Sequence, residues 1–596
     1  MILLNFSLTM RLNNSNILRY LNSNLLLTSV LINLILFIIV YTLFIPVYNT
    51  NDDVAMMFIV SGVRNFTQPS EFMIFSNIFI GYILKILYNI YNNFIWYELY
   101  LIFCLFISHV AILYVLICRS ISKKITILSY LLYFLLIGIV LLLNLQFTII
   151  ATFITIAGAV LIVFNSDSKP ITLQLITGIL FIVLGSLIRF KSCYLGLLVF
   201  FPLFCYFIYV NYKRFFSKRN IKIYSSFFIA ITLSFLFFKA DRYLYSKSNN
   251  YEKQFYEFNR LRSNIIDYKV LELNSDSNKQ KILTSINWSE NDYFMLSRWF
   301  FFDENKYSIN NLKKIVEDKN QKQRISTFKI IESIKWCSSL FNKEIIIFSV
   351  SITLFFIVLF DLKKKELFFV LLYYIFNLLL LILIYIFTKA PPFRVYITIF
   401  GFSTLIPLIL NKKNDVIKGV DNYSNIINGL KYFNWKKSTS VFRNLFLIIN
   451  IAFFLKFAIA CCFINWQNSR IISEKNKQFK KKIETLSNLN KKYVNWNAIP
   501  WEQMPVFESK KFLNSINIIG LGCANFTTLN KKILDSNNIN NLYLDLVLDD
   551  NLYLLSNNND YELYLKYMKE NYKMDIQYKE IKNETNYKII KFFIEN

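Results

Sequence analysis

Residues 25–53 read LLLTSVLINLILFIIVYTLFIPVYNTNDD. An apolar run from about Leu25 to Val47 ends in the polar stretch Tyr48-Asn49-Thr50-Asn51-Asp52-Asp53. The run is long enough to cross a hydrocarbon layer of ~30 Å. It therefore places two adjacent carboxylates, Asp52 and Asp53, at a membrane surface on the side opposite the basic N-terminus with Arg11 and Arg19. Acidic groups in that position, roofed by other membrane segments, can act on a substrate carried by a lipid. No A-x-A cleavage site follows the run, so it reads as a retained signal anchor.

The rest of the 596 residues agrees with a membrane setting. The chain is 55% hydrophobic with a mean hydropathy of +0.40, more apolar surface than a soluble protein of this length can hide. The net charge of +28 does not imply nucleic acid, because it clusters in short loops between apolar segments, as topology requires. The eight cysteines show no CxxC spacing, and most fall in apolar runs, so neither a disulfide scaffold nor a zinc site is indicated. The single histidine, His109, lies inside an apolar run and reads as a packed helix-interface residue.

Hydropathy marks about eleven spans: roughly 25–47, 96–118, 125–143, 146–164, 171–188, 193–212, 222–239, 343–360, 367–388, 393–411 and 442–464. The Lys/Arg count orients them with the N-terminus inside and the C-terminus outside. Inside clusters include Arg119 with Lys123 and Lys124, then Lys169, Lys213 with Arg214, Lys363 to Lys365, and Lys412 with Lys413. Treating 71–90 as a crossing would break the alternation. It reads instead as an amphipathic helix on the outer surface, bounded by Pro69 and the Tyr91-Asn92-Asn93 turn. The expected architecture is an all-α polytopic membrane protein with a small C-terminal α/β domain outside the cytoplasm.

Three regions then face outward: loop 48–95, loop 240–342 and the segment 465–596. The last opens with a charged helix-like stretch, Glu474 to Leu489. Strand-like runs follow at Ile516–Ile519 and Leu542–Leu548, then a helix near Tyr561–Tyr572 and a strand near Lys588–Ile594.

The residues suited to chemistry gather on the outer side. Asn51 could cap a helix beginning at Asp52, yet a cap explains one polar residue and not three in a row. A general base needs a carboxylate within reach of an acceptor hydroxyl and partly shielded from water, which Asp52 or Asp53 supplies. Arg189 and Lys191 end the fifth span, and Arg394 opens the tenth after the stiff Pro391-Pro392 turn. Positive charge in short outward loops runs against the topology rule. Such residues either snorkel to headgroups or bind an anion, and a phosphate suits the guanidinium fork. Asn144, Gln146 and Thr148 lie at an outward hairpin and either line a cavity or form the turn. In the long loop, Ser289-Glu290-Asn291-Asp292 reads as a helix start, and Arg298 leads an aromatic run. One or two residues of this loop, Asp292 and Arg298 among them, are candidates to face a cavity.

The acidic pair in the first outer loop, the surface helix after it, the multi-span core and the outer C-terminal domain resemble the C-type (GT-C) membrane glycosyltransferases. More narrowly, Asn51-Asp52-Asp53 with Met56, Ser61-Gly62, Pro69, Asn77, Gly81 and Trp96-Tyr97 is similar to a group of bacterial membrane proteins of that type. Gln146-Phe147-Thr148, Arg189 and Pro391-x-x-Arg394 are similar to that group too. The resemblance covers roughly 25–411. It implies a cytoplasmic N-terminus (1–24), a GT-C-like membrane domain (25–464) and an extracytoplasmic α/β domain (465–596). It further implies an enzyme of a bacterial plasma membrane that passes a sugar from a polyprenyl-phosphate donor to a glycan, lipid or protein acceptor. One of Asp52 and Asp53 would be the base, Arg189, Lys191 and Arg394 would hold the donor phosphate, and the anomeric centre would invert. The Asp-Asp pair departs from the commoner Asp-Glu and Asp-x-Asp forms. This leaves open which Asp is the base and whether a divalent metal is used; no cofactor is indicated. Two other readings compete: a polymerase of lipid-linked repeat units, which calls for arginine-rich outer loops, and a lipid-glycan transporter or flippase, which calls for internal repeats and midplane charges.

Overall fold

A computed structural model of the chain describes residues 24–63, 68–164, 171–248, 250–267, 276–320, 327–411, 437–520, 522, 525–557, 559–584 and 587–595. Residues 1–23 of the expected N-terminal segment and the basic clusters at Lys169 and at Lys412 with Lys413 lie outside the described residues. The chain divides into two compact units. One takes in residues up to Pro46 with Tyr100–Ser234 and Ile331–Ile471. The other takes in Val47–Leu99, Phe235–Ile330 and Ile472–Asn596.

The first unit is helical. All eleven apolar segments expected as spans fall in helices. Among the described residues seven helices are long and apolar enough to cross a membrane, or eight if Thr327–Leu340 and Glu344–Leu359, bent by 71°, count as one broken span. Phe147–Val163 and Leu173–Ile188 are apolar but shorter. Every residue of Phe147–Val163 is buried, which marks it as the axis of the unit. Its neighbours approach closely because the contact is glycine on glycine. A Cβ on Gly158 would lie 2.6 Å from the Gly178 carbonyl oxygen. Small residues of this kind let helices pack where no hydrophobic effect drives them together. Polar contacts add to this packing: Tyr130 donates to Asn33 Oδ1 at 2.7 Å, Tyr373 to the Val199 carbonyl at 2.7 Å and Asn377 to Ser403 Oγ at 3.0 Å. His109 is the packed residue expected of it, stacked on Phe153 at 5.7 Å and edge-on to Phe37 and Phe134.

In the second unit, helix Asn51–Ser61 stops at Gly62, whose φ of 65° forms a left-handed C-cap. Helix Ile78–Ile90 is capped by Asn77, and Asp241 accepts from the Ile78 amide at 2.8 Å. The exposed face of that helix carries Tyr82, Ile83, Ile86 and Ile90, the pattern expected of a helix lying on a bilayer.

The C-terminal part holds a five-stranded mixed sheet. Its strands are β1 (Lys492–Trp496), β2 (Asn517–Ile519), β3 (Leu552–Ser556), β4 (Gln577–Glu584) and β5 (Tyr587–Phe593), in the spatial order β2-β1-β3-β5-β4. β1 runs parallel to β2 and β3, with Tyr493 opposite Ile518 and Tyr553. β5 runs antiparallel to β3 and β4. The sheet shares its core with loop residues 290–302. Phe300 stacks on Trp496 at 4.2 Å, and the Trp496 indole donates to the Arg298 carbonyl at 2.7 Å. The long loop is thus part of the same hydrophobic core as the C-terminal domain.

One element corrects the sequence reading. Leu542–Leu548 alternates like a strand but forms a helix. Asn541 caps it, accepting from the Tyr543 and Leu544 amides, and Asp545 accepts from the Asn540 and Asn541 amides. Leu542, Tyr543, Leu546 and Val547 are buried, a helical spacing hidden inside an alternating run.

Candidate functional site

The acidic pair starts a helix, but one residue earlier than expected. Thr50, not Asn51, is the N-cap, and its side chain caps no amide. Its Oγ1 donates instead to Asp53 Oδ2 at 3.1 Å. Asp53 is fully buried, and Tyr97 OH donates to its Oδ1 at 3.0 Å. The Tyr97 amide in turn donates to Tyr88 OH. Asp52 differs in every respect. It is half-buried, and its carboxylate has no hydrogen-bond partner among the described residues. Both stand in the first helical turn, beside the amides that the helix itself leaves unpaired.

Beside them lies a buried cluster that the sequence reading passed over. Tyr48 OH donates to Glu98 Oε1, and Lys510 Nζ approaches the same oxygen at 3.6 Å. Glu98 and Lys510 are both almost fully buried. Lys510 also donates to the carbonyls of Pro505, Val506 and Glu508. Burial lowers the Lys510 pKa, and the neighbouring Glu98 opposes that change. Burial, and next the Glu98 charge, raises the Tyr48 phenol well above its ordinary value. Glu98 Oε2 has no partner among the described residues. A cavity of about 20 Å³, lined by Ser61, Asn92, Asn93, Glu98 and Ser509, adjoins it, room for one water. The sequence held a signal for this: Glu98 is a lone acid at the start of an apolar span, which is a functional or pairing position by default.

In the first unit, three of the polar residues expected to face outward meet. Gln146 is the N-cap of Phe147–Val163, and its Oε1 accepts from the Thr148 and Ile149 amides at 2.6 and 3.1 Å. Arg189 interrupts two helices as the N-cap of Phe190–Val210. Its guanidinium donates to Thr148 Oγ1 and lies 4.6 Å over the Phe147 ring. Gln146 is fully buried, yet its Nε2 has no partner among the described residues. A helix N-terminus, an unpartnered buried amide donor and an arginine together form an anion-binding environment. Lys191 is exposed one residue into the next helix. Arg394 follows the N-cap Pro392, is half-buried, and its guanidinium makes no hydrogen bond among the described residues.

The long-loop candidates have structural partners. Asp292 completes the capping box of Glu290–Ser297, pairs with Lys306 at 2.9 Å and accepts from Asn571. Both of its oxygens are thereby engaged, Oδ2 within the loop by Ser289 and Lys306 and Oδ1 by Asn571 of the C-terminal part. The Arg298 side chain is 57% exposed and stands 3.9 Å from Asp560.

Fold and residues together define a multi-pass helical membrane protein with a mixed α/β domain, carrying a carboxylate pair in one unit and, in the other, Arg189 set beside Gln146 and Thr148 at a helix start. Two solved structures are similar to it over 95% of this chain and 97% of theirs. One is ArnT from Cupriavidus metallidurans bound to undecaprenyl phosphate, at 7% identity and a TM-score of 0.38. The other is the same protein in the apo state, at 9% identity and a TM-score of 0.39. No family model and no curated protein matches the sequence. What the chain does is therefore read from its residues.

Proposed function

We propose that the protein is an inverting GT-C-type glycosyltransferase. It moves a sugar from a polyprenyl-phosphate donor to an acceptor outside the cytoplasm. The observation that carries this is the contrast within the acidic pair: Asp53 is buried and hydrogen-bonded by Thr50 and Tyr97, and Asp52 is half-buried with its carboxylate unengaged. Asp52 is the base and Asp53 positions the turn that carries it. The Asp52 carboxylate takes the proton of the acceptor hydroxyl as that oxygen bonds to the anomeric carbon. The bond from that carbon to the phosphate oxygen breaks, and the electron pair leaves with the phosphate. Arg189, Lys191, Arg394 and the free Gln146 amide are suited to hold that growing charge. Supporting this orientation, the stretches read as outward, 48–95, 240–342 and 465–596, overlap the three that compose the second unit.

The test is sugar transfer from a radiolabelled polyprenyl-phosphate sugar by purified variants in nanodiscs. Asp52→Asn is expected to slow turnover about 10²–10⁴-fold with the fold intact. Wild-type turnover in Asp52→Asn refutes the assignment. Arg394→Ala is expected to raise the donor KM; an unchanged KM removes its phosphate role. Topology is checked with Asn305→Cys, an exposed position, in a background with all eight native cysteines replaced by serine. An impermeant thiol reagent added outside should label it, and protection there would reverse the orientation.

A further inference from the structure

Two consecutive residues, Tyr97 and Glu98, hold both ends of the turn that carries the acidic pair. Tyr48, just before the turn, donates its hydroxyl to Glu98 Oε1. Asp53, at the far end, accepts from Tyr97 OH at 3.0 Å. Four residues, Asn49, Thr50, Asn51 and Asp52, separate the two held points. Thr50 braces the span from inside through its bond to Asp53 Oδ2. Tyr48, Asp53, Tyr97 and Glu98 are each 2% exposed or less, so bulk water does not compete for these bonds. Asp52 stands on this braced span with its carboxylate free of hydrogen bonds among the described residues.

The two holding residues are themselves anchored. The Tyr97 amide donates to Tyr88 OH at 3.1 Å. Glu98 is fixed by Lys510, whose ammonium stands 3.6 Å from Oε1 and donates to the carbonyls of Pro505, Val506 and Glu508. The same C-terminal segment touches the acidic helix a second time, where the Trp501 and Phe58 rings meet edge to face at 5.0 Å. A buried ion pair adds little stability over apolar residues that fill the same space. What Glu98 and Lys510 supply, and apolar residues cannot, is an acceptor held in one place for the Tyr48 hydroxyl.

We infer that Tyr48, Glu98 and Lys510 are positioning residues, which set where Asp52 stands without touching the reacting atoms. This role rests on the transferase reading and adds to it the means by which the C-terminal segment holds the base in place. A reacting group misplaced by about 1 Å costs about 10²-fold in rate. Releasing the turn should therefore lower kcat and leave the donor KM where it is.

The experiment uses the full chain in nanodiscs. Tyr48→Phe removes one hydroxyl and keeps both the ring and the Glu98–Lys510 pair. With a radiolabelled polyprenyl-phosphate sugar, its kcat should fall about tenfold and its donor KM should stay within about twofold of wild type. Tyr564→Phe is the control. It removes an equally buried hydroxyl, one that donates to the Tyr543 carbonyl at 2.6 Å, and should keep the wild-type kcat. If Tyr48→Phe fails to fold, two double variants without a lone buried charge replace it. Lys510→Met with Glu98→Gln keeps an acceptor for Tyr48, and its kcat should exceed that of Lys510→Met with Glu98→Leu by about tenfold. A second readout needs no transfer: carbodiimide coupling of glycine ethyl ester to the two aspartates, assigned by tandem mass spectrometry. Wild type should be labelled at Asp52 over Asp53. The Asp53-to-Asp52 ratio should rise about threefold or more in Tyr48→Phe, as the turn opens, and stay put in Tyr564→Phe. A wild-type protein that transfers nothing while the ratio shifts in this way keeps the positioning role and loses only the transferase reading. Wild-type kcat in Tyr48→Phe, an equal loss in Tyr564→Phe, a change confined to KM, or an unmoved labelling ratio each overturns the inference.

Discussion

The Glu98–Lys510 pair ties the start of helix Trp96–Arg119 to the C-terminal segment, and its removal has a calculable consequence. The charges stand 3.6 Å apart, and neither side chain is more than 5% exposed. At an effective dielectric of about 20, their attraction is about 4–5 kcal/mol. Removing one partner of a buried pair costs about 3–5 kcal/mol, because the other charge stays buried without its counterion. The two ends are not equivalent. Glu98→Gln leaves Lys510 with three carbonyls still around it, and Gln keeps an oxygen for Tyr48. We expect a loss near the lower end, about 3 kcal/mol. Lys510→Met leaves a buried carboxylate with a single phenol donor, and we expect about 4–5 kcal/mol. The double variant should cost about 2 kcal/mol less than the sum, since no lone charge remains. Hydrogen–deuterium exchange of amides 501–515 in nanodiscs reads the local opening, with about tenfold faster exchange for each 1.4 kcal/mol lost. Additive single effects, or less than about threefold acceleration in Lys510→Met, would show that the two charges are not coupled.

Three further variants probe the same unit. Gly81→Ala would put a methyl 2.0 Å from the Glu71 backbone carbonyl oxygen, so the chain must move. We expect a loss of about 1–3 kcal/mol or more, seen as faster exchange over 69–90, and wild-type protection there would contradict the packing. Tyr97→Phe removes a donor from the buried Asp53 and should destabilise the protein by about 1–3 kcal/mol in chemical denaturation. Burial raises the Glu252 pKa above its ordinary value of 4.5. The cost of its charge is therefore absent below that value, grows as pH rises toward the folded-state pKa, and is complete above it. Glu252→Gln keeps an acceptor for the Thr528 amide. It should stabilise the protein at pH 7–8 by about 1.4 kcal/mol for each tenfold loss of Glu252 acidity on folding, and do little near pH 4. A benefit at pH 4 equal to that at pH 8 would disprove the linkage.

Hydropathy found every helix of the expected span set, because the length of an apolar run is a property of consecutive residues. It did not find the breaks inside them, such as the π-turn at Phe134–Gly138, which composition does not mark. The C-terminal sheet was legible only in part. Ile516–Ile519 and Lys588–Ile594 read as strands and largely are. Lys492–Trp496 and Leu552–Ser556 are short and went unread, and their parallel pairing joins segments distant in sequence. Leu542–Leu548 misled because alternation of Leu with Tyr and Asp mimics a pleat, and the cap from Asn541 decides otherwise. The carboxylate pair was legible from its place at the end of the first span. The Glu98–Lys510 contact was not, since nothing local in either residue's neighbourhood names the other.

The division of labour proposed for the acidic pair follows from helical geometry. Successive residues on an α-helix are turned by about 100°, so i and i+1 do not face each other. Two adjacent aspartates in a helical turn therefore cannot share one proton as a facing dyad does. When one is turned into the interior, as Asp53 is toward Tyr97, the other is turned elsewhere. The inward carboxylate collects fixed donors, and the half-exposed one is left with unmet acceptor capacity. Had the chain placed the pair in an extended strand, the two would point to opposite faces and neither would gain from the helix N-terminus. The helix start at Asn51 thus does two things at once: it turns Asp53 toward its fixed donors, and it leaves Asp52 as the carboxylate able to meet a hydroxyl. Exchanging the two roles by mutation therefore requires moving the helix start by a residue, not swapping one carboxylate for another.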